Sequence, residues 1–242
     1  KIPNFTGKPY DGEFGVEDPR ITKIGKKYYM TYVAISKREG ISTALAESDD
    51  LEHWQRRGII FREQNKDVVL FPEKINGLYV ALNRPEIFYE FHRPSIWISY
   101  SPDLTFWGKE KNFLLPRKNS WEEERVGAGA PPIKLKEGWL LIYHGVKEVS
   151  KERYLYSAGV VLCDLKSPEK IIAQTPVDNP LIKPTESWEK KGYVNKVIFP
   201  TGIVHSSNKK DLLIYYGAAD STVAVCKMNI REILKSLEAV NT

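Results

Sequence analysis

The sequence predicts an all-β protein of the β-propeller class, and three of its features do so. A proline-led phrase recurs four times, each time opening a run of alternating apolar and polar residues. The copies are Glu17-Asp18-Pro19-Arg20-Ile21, Phe71-Pro72-Glu73-Lys74-Ile75, Ala130-Pro131-Pro132-Ile133-Lys134 and Phe199-Pro200-Thr201-Gly202-Ile203. Anchored on Pro19, Pro72, Pro132 and Pro200, they lie 53, 60 and 68 residues apart, a period that suits strand-rich blades set around a channel. The aromatic share is 12%, with 13 Tyr and 6 Trp among 242 residues, which favours twisted antiparallel sheets. Helical periodicity is confined to the C-terminus.

Each copy supplies further strands in turn. The first continues through residues 26–32 and 41–46, then closes on Ser48-Asp49-Asp50-Leu51 and Trp54. The second continues through 77–82 and 95–100 and closes on Ser101-Pro102-Asp103-Leu104, followed by Phe106 and Trp107. The Asp-Leu pairs predict turns, and Trp54, Phe106 and Trp107 are expected to pack between blades. The third copy runs through 138–143 and 157–163 to Asp164-Leu165, and the fourth through 211–216 and 222–228. Apolar residues at 230, 233, 234 and 237 predict a short helix that caps the last blade. No linker interrupts the chain, so residues 1–242 are read as one propeller domain. Closure pairs strands from both chain ends, and the chain starts at Lys1 without Met. The expectation is therefore five blades, four of them recognisable, with part of the fifth upstream.

Composition narrows the function. A formal net charge of +5 with lysines scattered over predicted turns gives no basic arm for nucleic acid, while an anionic small substrate suits it. Cys163 and Cys226 lie in apolar runs and read as reduced, buried thiols. No metal-ligand spacing, signal-like N-terminus or long apolar run is present. The reading is a cytoplasmic protein without metal or cofactor, acting away from membranes.

Two sets of residues near the blade starts carry the chemistry. Asp18 is the one acid placed directly before a repeat proline. Proline fixes its own φ and biases its predecessor towards extended backbone, so Asp18 is expected to be held extended as a general acid. A turn-forming Asp-Pro or a salt bridge to Arg20 is the alternative. The second set is Lys66, Arg84, Arg125 and His144; individually these are ordinary strand-end residues, but converging on one mouth they would bind an anion. Glycosidases ordinarily need two carboxylates. A phosphorylase needs only the acid, because bound phosphate is the nucleophile and the basic set orients it.

The phrases Gly15-Val16-Glu17-Asp18-Pro19-Arg20-Ile21, Phe71-Pro72-Glu73-Lys74-Ile75, Gly127-Ala128-Gly129-Ala130-Pro131-Pro132 and Phe199-Pro200-Thr201-Gly202 resemble glycoside hydrolase family 130, over essentially the whole chain. That resemblance implies a five-bladed β-propeller and inverting phosphorolysis of a β-mannoside to α-mannose 1-phosphate. It implies Asp18 as proton donor, relayed through the mannose 3-hydroxyl. It also implies Lys66, Arg84, Arg125 and His144 as phosphate ligands, with Lys and Arg exchanged at 66 and 125, and Asp220 as a mannosyl-binding carboxylate. Glu17 and Tyr143, beside Asp18 and His144, join the substrate set. The implied partners are a β-linked mannosaccharide and inorganic phosphate as co-substrate, with the C-terminal helix available for a homo-oligomer interface. The family's N-terminal mannose-holding residues are absent from this chain. The competing readings are a phosphate-independent β-mannosidase, with Glu73, Glu86 or Asp220 as second carboxylate, and a non-catalytic carbohydrate-binding propeller. Acceptor choice is expected to rest on loops 84–94 and 148–156, including His92, Arg93 and Tyr154.

Overall fold

In the computed structural model, residues 12–62, 64–151 and 153–240 are described. The chain divides into two compact units, Lys1–Leu114 and Leu115–Thr242.

The first unit holds two antiparallel sheets of four strands, each in chain order. One is β1 (Gly15–Ile24), β2 (Lys27–Ser36), β3 (Gly40–Ser48) and β4 (Gln55–Phe61). The other is β5 (Asn65–Leu70), β6 (Tyr79–Pro85), β7 (Ile96–Ser101) and β8 (Gly108–Leu114). The two sheets are tied through β5. Thr22 Oγ1 donates to Leu70 O at 3.3 Å, Thr31 Oγ1 to Val68 O at 2.5 Å and Thr43 Oγ1 to Asn65 O at 3.0 Å. Threonine suits both jobs, because its branched body fits a pleated sheet while its hydroxyl satisfies a buried carbonyl. Leu45, Phe61, Val68, Leu70, Ala81 and Leu104 form the apolar cluster beside these bonds.

The Asp-Leu turns fold as the sequence predicts. Asp50 Oδ1 accepts from the backbone N–H groups of Glu52 and His53 at 2.9 and 2.8 Å, and Asp103 Oδ1 from those of Thr105 and Phe106 at 2.9 and 3.0 Å. Leu51 and Leu104 adopt φ of 68° and 69°. Their carbonyls accept from the indole N–H groups of Trp54 and Trp107 at 3.1 and 3.2 Å. Trp107 lies 5.2 Å from Phe61 of the neighbouring sheet, the rings tilted by 32°; Trp54, expected between blades, instead packs on its own sheet with Met30 and Tyr32. Phe106 departs from the expectation. It is 74% exposed, and its N–H donates to Asp103 in the turn.

The second unit holds β9 (Arg125–Ala128), β10 (Ile133–Lys134), β11 (Trp139–Ser150), β12 (Arg153–Cys163), β13 (Ile171–Gln174), α1 (Ser187–Lys190), β14 (Ile198–His205), β15 (Asp211–Ala218), β16 (Thr222–Asn229), α2 (Ile230–Lys235) and β17 (Glu238–Ala239). One sheet runs β10-β11-β12-β13-β17, with β9 also paired to β11; the other is β14-β15-β16. Asn229 caps α2, its side chain accepting from Arg231 N at 3.0 Å. Ile230, Ile233, Leu234 and Leu237 pack into the core with Leu140, Ile142 and Ile214, as the periodicity predicts. Cys163 is buried and Cys226 partly so, both as free thiols.

The proline anchors are not all structurally equivalent. Pro19 lies inside β1, whereas Pro72 follows β5. What the first two sheets share is an irregularity of register: β1 shifts between Glu17 and Arg20, and β5 between Lys66 and Val69. Asp18 and Asp67 occupy these two bulges, at φ of 52° and 53°. The bulge therefore aligns Asp18 with Asp67, and not with Phe71.

Candidate active site

Asp18 is not extended. Its φ of 52° puts it in the left-handed region, where a non-glycine residue before proline is strained by roughly 1–3 kcal/mol. The bulge imposes this conformation, and short polar residues tolerate it better than most. Arg20 Nη1 donates to the Asp18 carbonyl at 2.8 Å and so supports the turn. The Asp18 carboxyl is held above the usual carboxylate range. Burial is the main cause, opposed by Arg20, reinforced by Asp67 and Glu17, and opposed again by Lys66. A carboxyl group that keeps its proton is what a general acid requires. Glu17 beside it is exposed.

Lys66 and Arg84 face each other in register across β5 and β6, so the first unit brings two of the four predicted basic residues to the sheet that also bears Asp67. Arg84 is buried. Its Nη1 lies 2.7 Å from Asp67 Oδ2, and its Nε donates to Glu86 Oε1 at 2.9 Å. Arg20 Nη2 lies 3.7 Å from Asp67 Oδ1. Asp67 thus sits between two guanidinium groups. The sequence reading missed it, although the run Lys66-Asp67 repeats the pattern of a charged residue before Asp seen in Glu17-Asp18. Downstream of Arg84, Tyr89 pairs with His92 in a small hairpin. Tyr89 and Phe91 stack at 5.4 Å, and the Arg93 guanidinium lies 4.4 Å over Phe88. Phe88, Tyr89 and Phe91 are all exposed.

Arg125 and His144 belong to the second unit, on the paired strands β9 and β11. Arg125 Nη2 donates to the Tyr156 hydroxyl at 3.3 Å and lies 5.5 Å over the Tyr154 ring. His144 is fully enclosed, 4.5 Å from the Phe199 ring and 6.2 Å from that of Tyr156. Tyr143 points to the face of β11 opposite that of His144, and both side chains are buried. Tyr143 is 1% exposed and its hydroxyl donates to Glu122 Oε2 at 2.6 Å. That bond commits the hydroxyl to the buried Glu122 network.

Asp220 is exposed at the β15–β16 turn, where Ala219 and Asp220 take φ of 46° and 54°, as in a type I′ turn. Segment 189–197 brackets this tip: Ala219 N donates to Val197 O at 3.1 Å, and Val194 N to Ala219 O at 3.2 Å. Buried Glu189 anchors the segment by accepting from Thr185 N, Glu186 N and the Tyr216 hydroxyl at 2.7, 2.8 and 2.7 Å. Burial opposes its ionisation, yet the Glu186 N–H, the Tyr216 hydroxyl and Thr185 together outweigh it and hold the carboxyl below the usual range. Its stabilising contribution is present above the unfolded value and lost as pH falls through the folded one. Tyr216→Phe is therefore expected to lower stability by about 1.5–3 kcal/mol at neutral pH. The loss should shrink in acid, as read from denaturant midpoints at both pH values.

Among the described residues, no group of three or more His, Cys, Asp or Glu side chains is placed to hold a metal ion, and no helix is long and apolar enough to cross a membrane.

The family model for glycoside hydrolase family 130, described as β-1,4-mannooligosaccharide phosphorylase, matches residues 4–239. The chain belongs to glycoside hydrolase family 130. Its four sheets are blades of the β-propeller class found in the solved relatives. The family 130 chain is 42% identical over 221 residues to a 1,2-β-oligomannan phosphorylase of Thermoanaerobacter sp. strain X514, covering 90% of this chain and 70% of that protein. It is 40% identical to the β-1,2-mannobiose phosphorylase of Listeria innocua, covering 93% of this chain and 61% of that one. A solved structure of the Listeria enzyme with β-1,2-mannobiose superposes with a TM-score of 0.85 over 94% of this chain and 62% of its own, at 39% identity. The chain thus spans less than two thirds of the Listeria protein.

Proposed function

We propose that this family 130 chain performs inverting phosphorolysis of β-mannosides, with β-1,2-linked mannosides preferred. The observation that carries this reading is Asp18, its carboxyl raised above the usual carboxylate range by burial, near Lys66 and on the same unit as Arg84. A phosphate oxygen attacks the anomeric carbon as the glycosidic C–O bond breaks. The proton of Asp18, relayed through the mannose 3-hydroxyl, reaches the departing oxygen, so the products are α-mannose 1-phosphate and a shortened acceptor. Of the phosphate ligands that the family resemblance implies, Lys66 and Arg84 lie on the first unit with Asp18 and Glu17, and Arg125 and His144 on the second with Asp220. Phosphate is a co-substrate, and no cofactor is needed.

Hydrolysis would require a second free carboxylate. Of the carboxylates named for that role, Glu86 is engaged by the Arg84 guanidinium, as Asp67 is by Arg20 and Arg84, and Glu73 and Asp220 remain the candidates that phosphate dependence tests. The preference for the 1,2 linkage rests on the relatives. Identity is 42% and 40% with the two phosphorylases named for β-1,2-mannosides above, against 32% with the β-1,4-mannooligosaccharide phosphorylase of Ruminococcus albus. The exposed Phe88, Tyr89 and Phe91 offer apolar ring faces for an acceptor sugar, with His92 and Arg93 supplying polar contacts. We place the reaction in the cytoplasm, in keeping with two free thiols.

The test is release of mannose 1-phosphate from β-1,2-mannobiose and β-1,4-mannobiose, with and without inorganic phosphate. Product only with phosphate, and faster from the 1,2-linked sugar, is expected. Free mannose formed regardless of phosphate would replace this reading with hydrolysis.

A further inference from the structure

We propose that Asp67 is the positioning residue of this site: from the bulge of the second sheet it fixes the Arg84 guanidinium on one side and, through Arg20, the backbone that carries Asp18 on the other. The inference rests on the phosphorolysis reading for the roles of Arg84 and Asp18, and on geometry for the link between them.

Three observations carry it. First, Asp67 is buried, and each of its carboxylate oxygens faces a different arginine, Oδ1 with Arg20 at 3.7 Å and Oδ2 with Arg84 at 2.7 Å. A buried carboxylate shared by two buried guanidinium groups holds both rotamers, since each cation needs the charge. Second, the chain from Asp67 to the acid is short. Arg20 reaches Asp67 with Nη2 and the Asp18 carbonyl with Nη1, at 2.8 Å. Asp18 has a strained φ of 52°, so a bond to its own carbonyl acts directly on the backbone that aims its carboxyl. Third, Asp67 shares the left-handed bulge geometry of Asp18, with φ of 53°. The two sheets thus present one device in two forms: the half-buried acid in the first and the arginine-clamped carboxylate in the second.

The charge on Asp67 also acts on Asp18 through space, favouring the protonated acid together with burial and Glu17, against Arg20 and Lys66. Asp67→Asn removes that charge and leaves the positive field of Arg20 less balanced. Both changes make Asp18 ionise more readily. A merely structural lesion that opened the bulge to water would relax the shift in the same direction, so phosphate affinity and the charge-conserving Asp67→Glu variant are what separate the two.

The experiment pairs two variants with two readouts. The titration of the Asp18 side-chain carboxyl is followed by carbon-13 NMR, its signal assigned by its loss in Asp18→Asn. The affinity for inorganic phosphate is measured by calorimetry. Asp67→Asn should move the Asp18 titration to lower pH and weaken phosphate binding by about tenfold, the scale on which loss of an orienting partner acts. Asp67→Glu keeps the charge but not the reach. It should leave the Asp18 titration close to that of the wild type and still weaken phosphate binding, and it serves if Asp67→Asn does not fold. Arg20→Gln should move the Asp18 titration the other way, to higher pH. An Asp18 titration unchanged in Asp67→Asn, or phosphate affinity equal to wild type in both Asp67 variants, would overturn the proposal. Wild-type protein that binds no phosphate would refute the phosphorolysis reading, while the Asp18 titration would still report on Asp67.

Discussion

Replacing Asp18 with asparagine is expected to lower kcat for phosphorolysis by about 10²–10⁴-fold, the usual contribution of a positioned general acid. Asparagine is nearly isosteric and tolerates positive φ, so it fits the strained bulge, where Asp18 sits at 52°. It cannot donate the acidic proton. Because the defect lies in proton delivery, kcat should fall while phosphate affinity changes little. The pH dependence follows from the same group. The Asp18 carboxyl is held above its ordinary value chiefly by burial, and the reaction needs it protonated. Activity is therefore retained below the raised value and lost as pH rises through it. Stability behaves alike. The folded-state value exceeds the unfolded one, so the contribution of Asp18 is full below the unfolded value and disappears as pH rises through the folded one. Steady-state rates of wild type and Asp18→Asn across pH check both parts. A variant with wild-type kcat would remove Asp18 from the chemistry.

The largest stability effect is expected at a carboxylate that takes no part in the reaction. Glu122 is fully buried, paired to Arg117 and bonded by the Tyr143 hydroxyl at 2.6 Å; Gln174 Nε2 also donates to that hydroxyl, at 3.1 Å. Trp121, its neighbour, donates its indole N–H to Pro176 O at 2.9 Å and lies against the Tyr143 ring at 5.5 Å. The pair is seated on β11 and β12 where glycines make room. A Cβ on Gly159 would lie 2.7 Å from the Trp121 ring, and one on Gly145 would fall on both Glu122 and Trp121. Glu122→Ala removes the counter-charge of Arg117, strands the Tyr143 hydroxyl and leaves a void. Loss of one partner from a buried pair costs about 3–5 kcal/mol, and the partial exposure of Arg117 places this case near about 3 kcal/mol. Denaturant unfolding provides the measurement. Glu122 is raised by burial, with Arg117 and Tyr143 acting against the shift. Its contribution is accordingly full below the unfolded value and lost as pH rises through the folded one, a slope that Glu122→Gln should lack. A Glu122→Ala midpoint within error of wild type would show that the network is not what holds β9, β11 and β13 together.

How much of this was legible beforehand differs by feature. The turns at Asp50 and Asp103 could be read because their chemistry is local, with carboxylate, backbone donors and indole all within a few residues. The C-terminal helix could be read from four apolar positions and their spacing. Asp18 was picked out by the residue after it, although the inference about its backbone was wrong: proline favours an extended predecessor, and the β1 bulge overrides that preference. The bond of Tyr143 to Glu122 could not be read because the two residues lie 21 positions apart and meet only once β11 has packed. Asp67 was passed over because its one local signal, a charged residue before Asp as in Glu17-Asp18, is weak, and its two arginines come from β1 and β6.

The sequence by itself determined the all-β class, the four-fold recurrence of strands and the short C-terminal helix, and it singled out Asp18 as the candidate acid. These depend on period-2 patterning, turn residues and short-range spacing, all carried by near neighbours. The tertiary structure decided which of two bulge aspartates has its carboxyl raised by burial and which is clamped between arginines, and that both faces of β11 are buried. Those outcomes turn on desolvation and on charges that meet only after strands distant in sequence have packed.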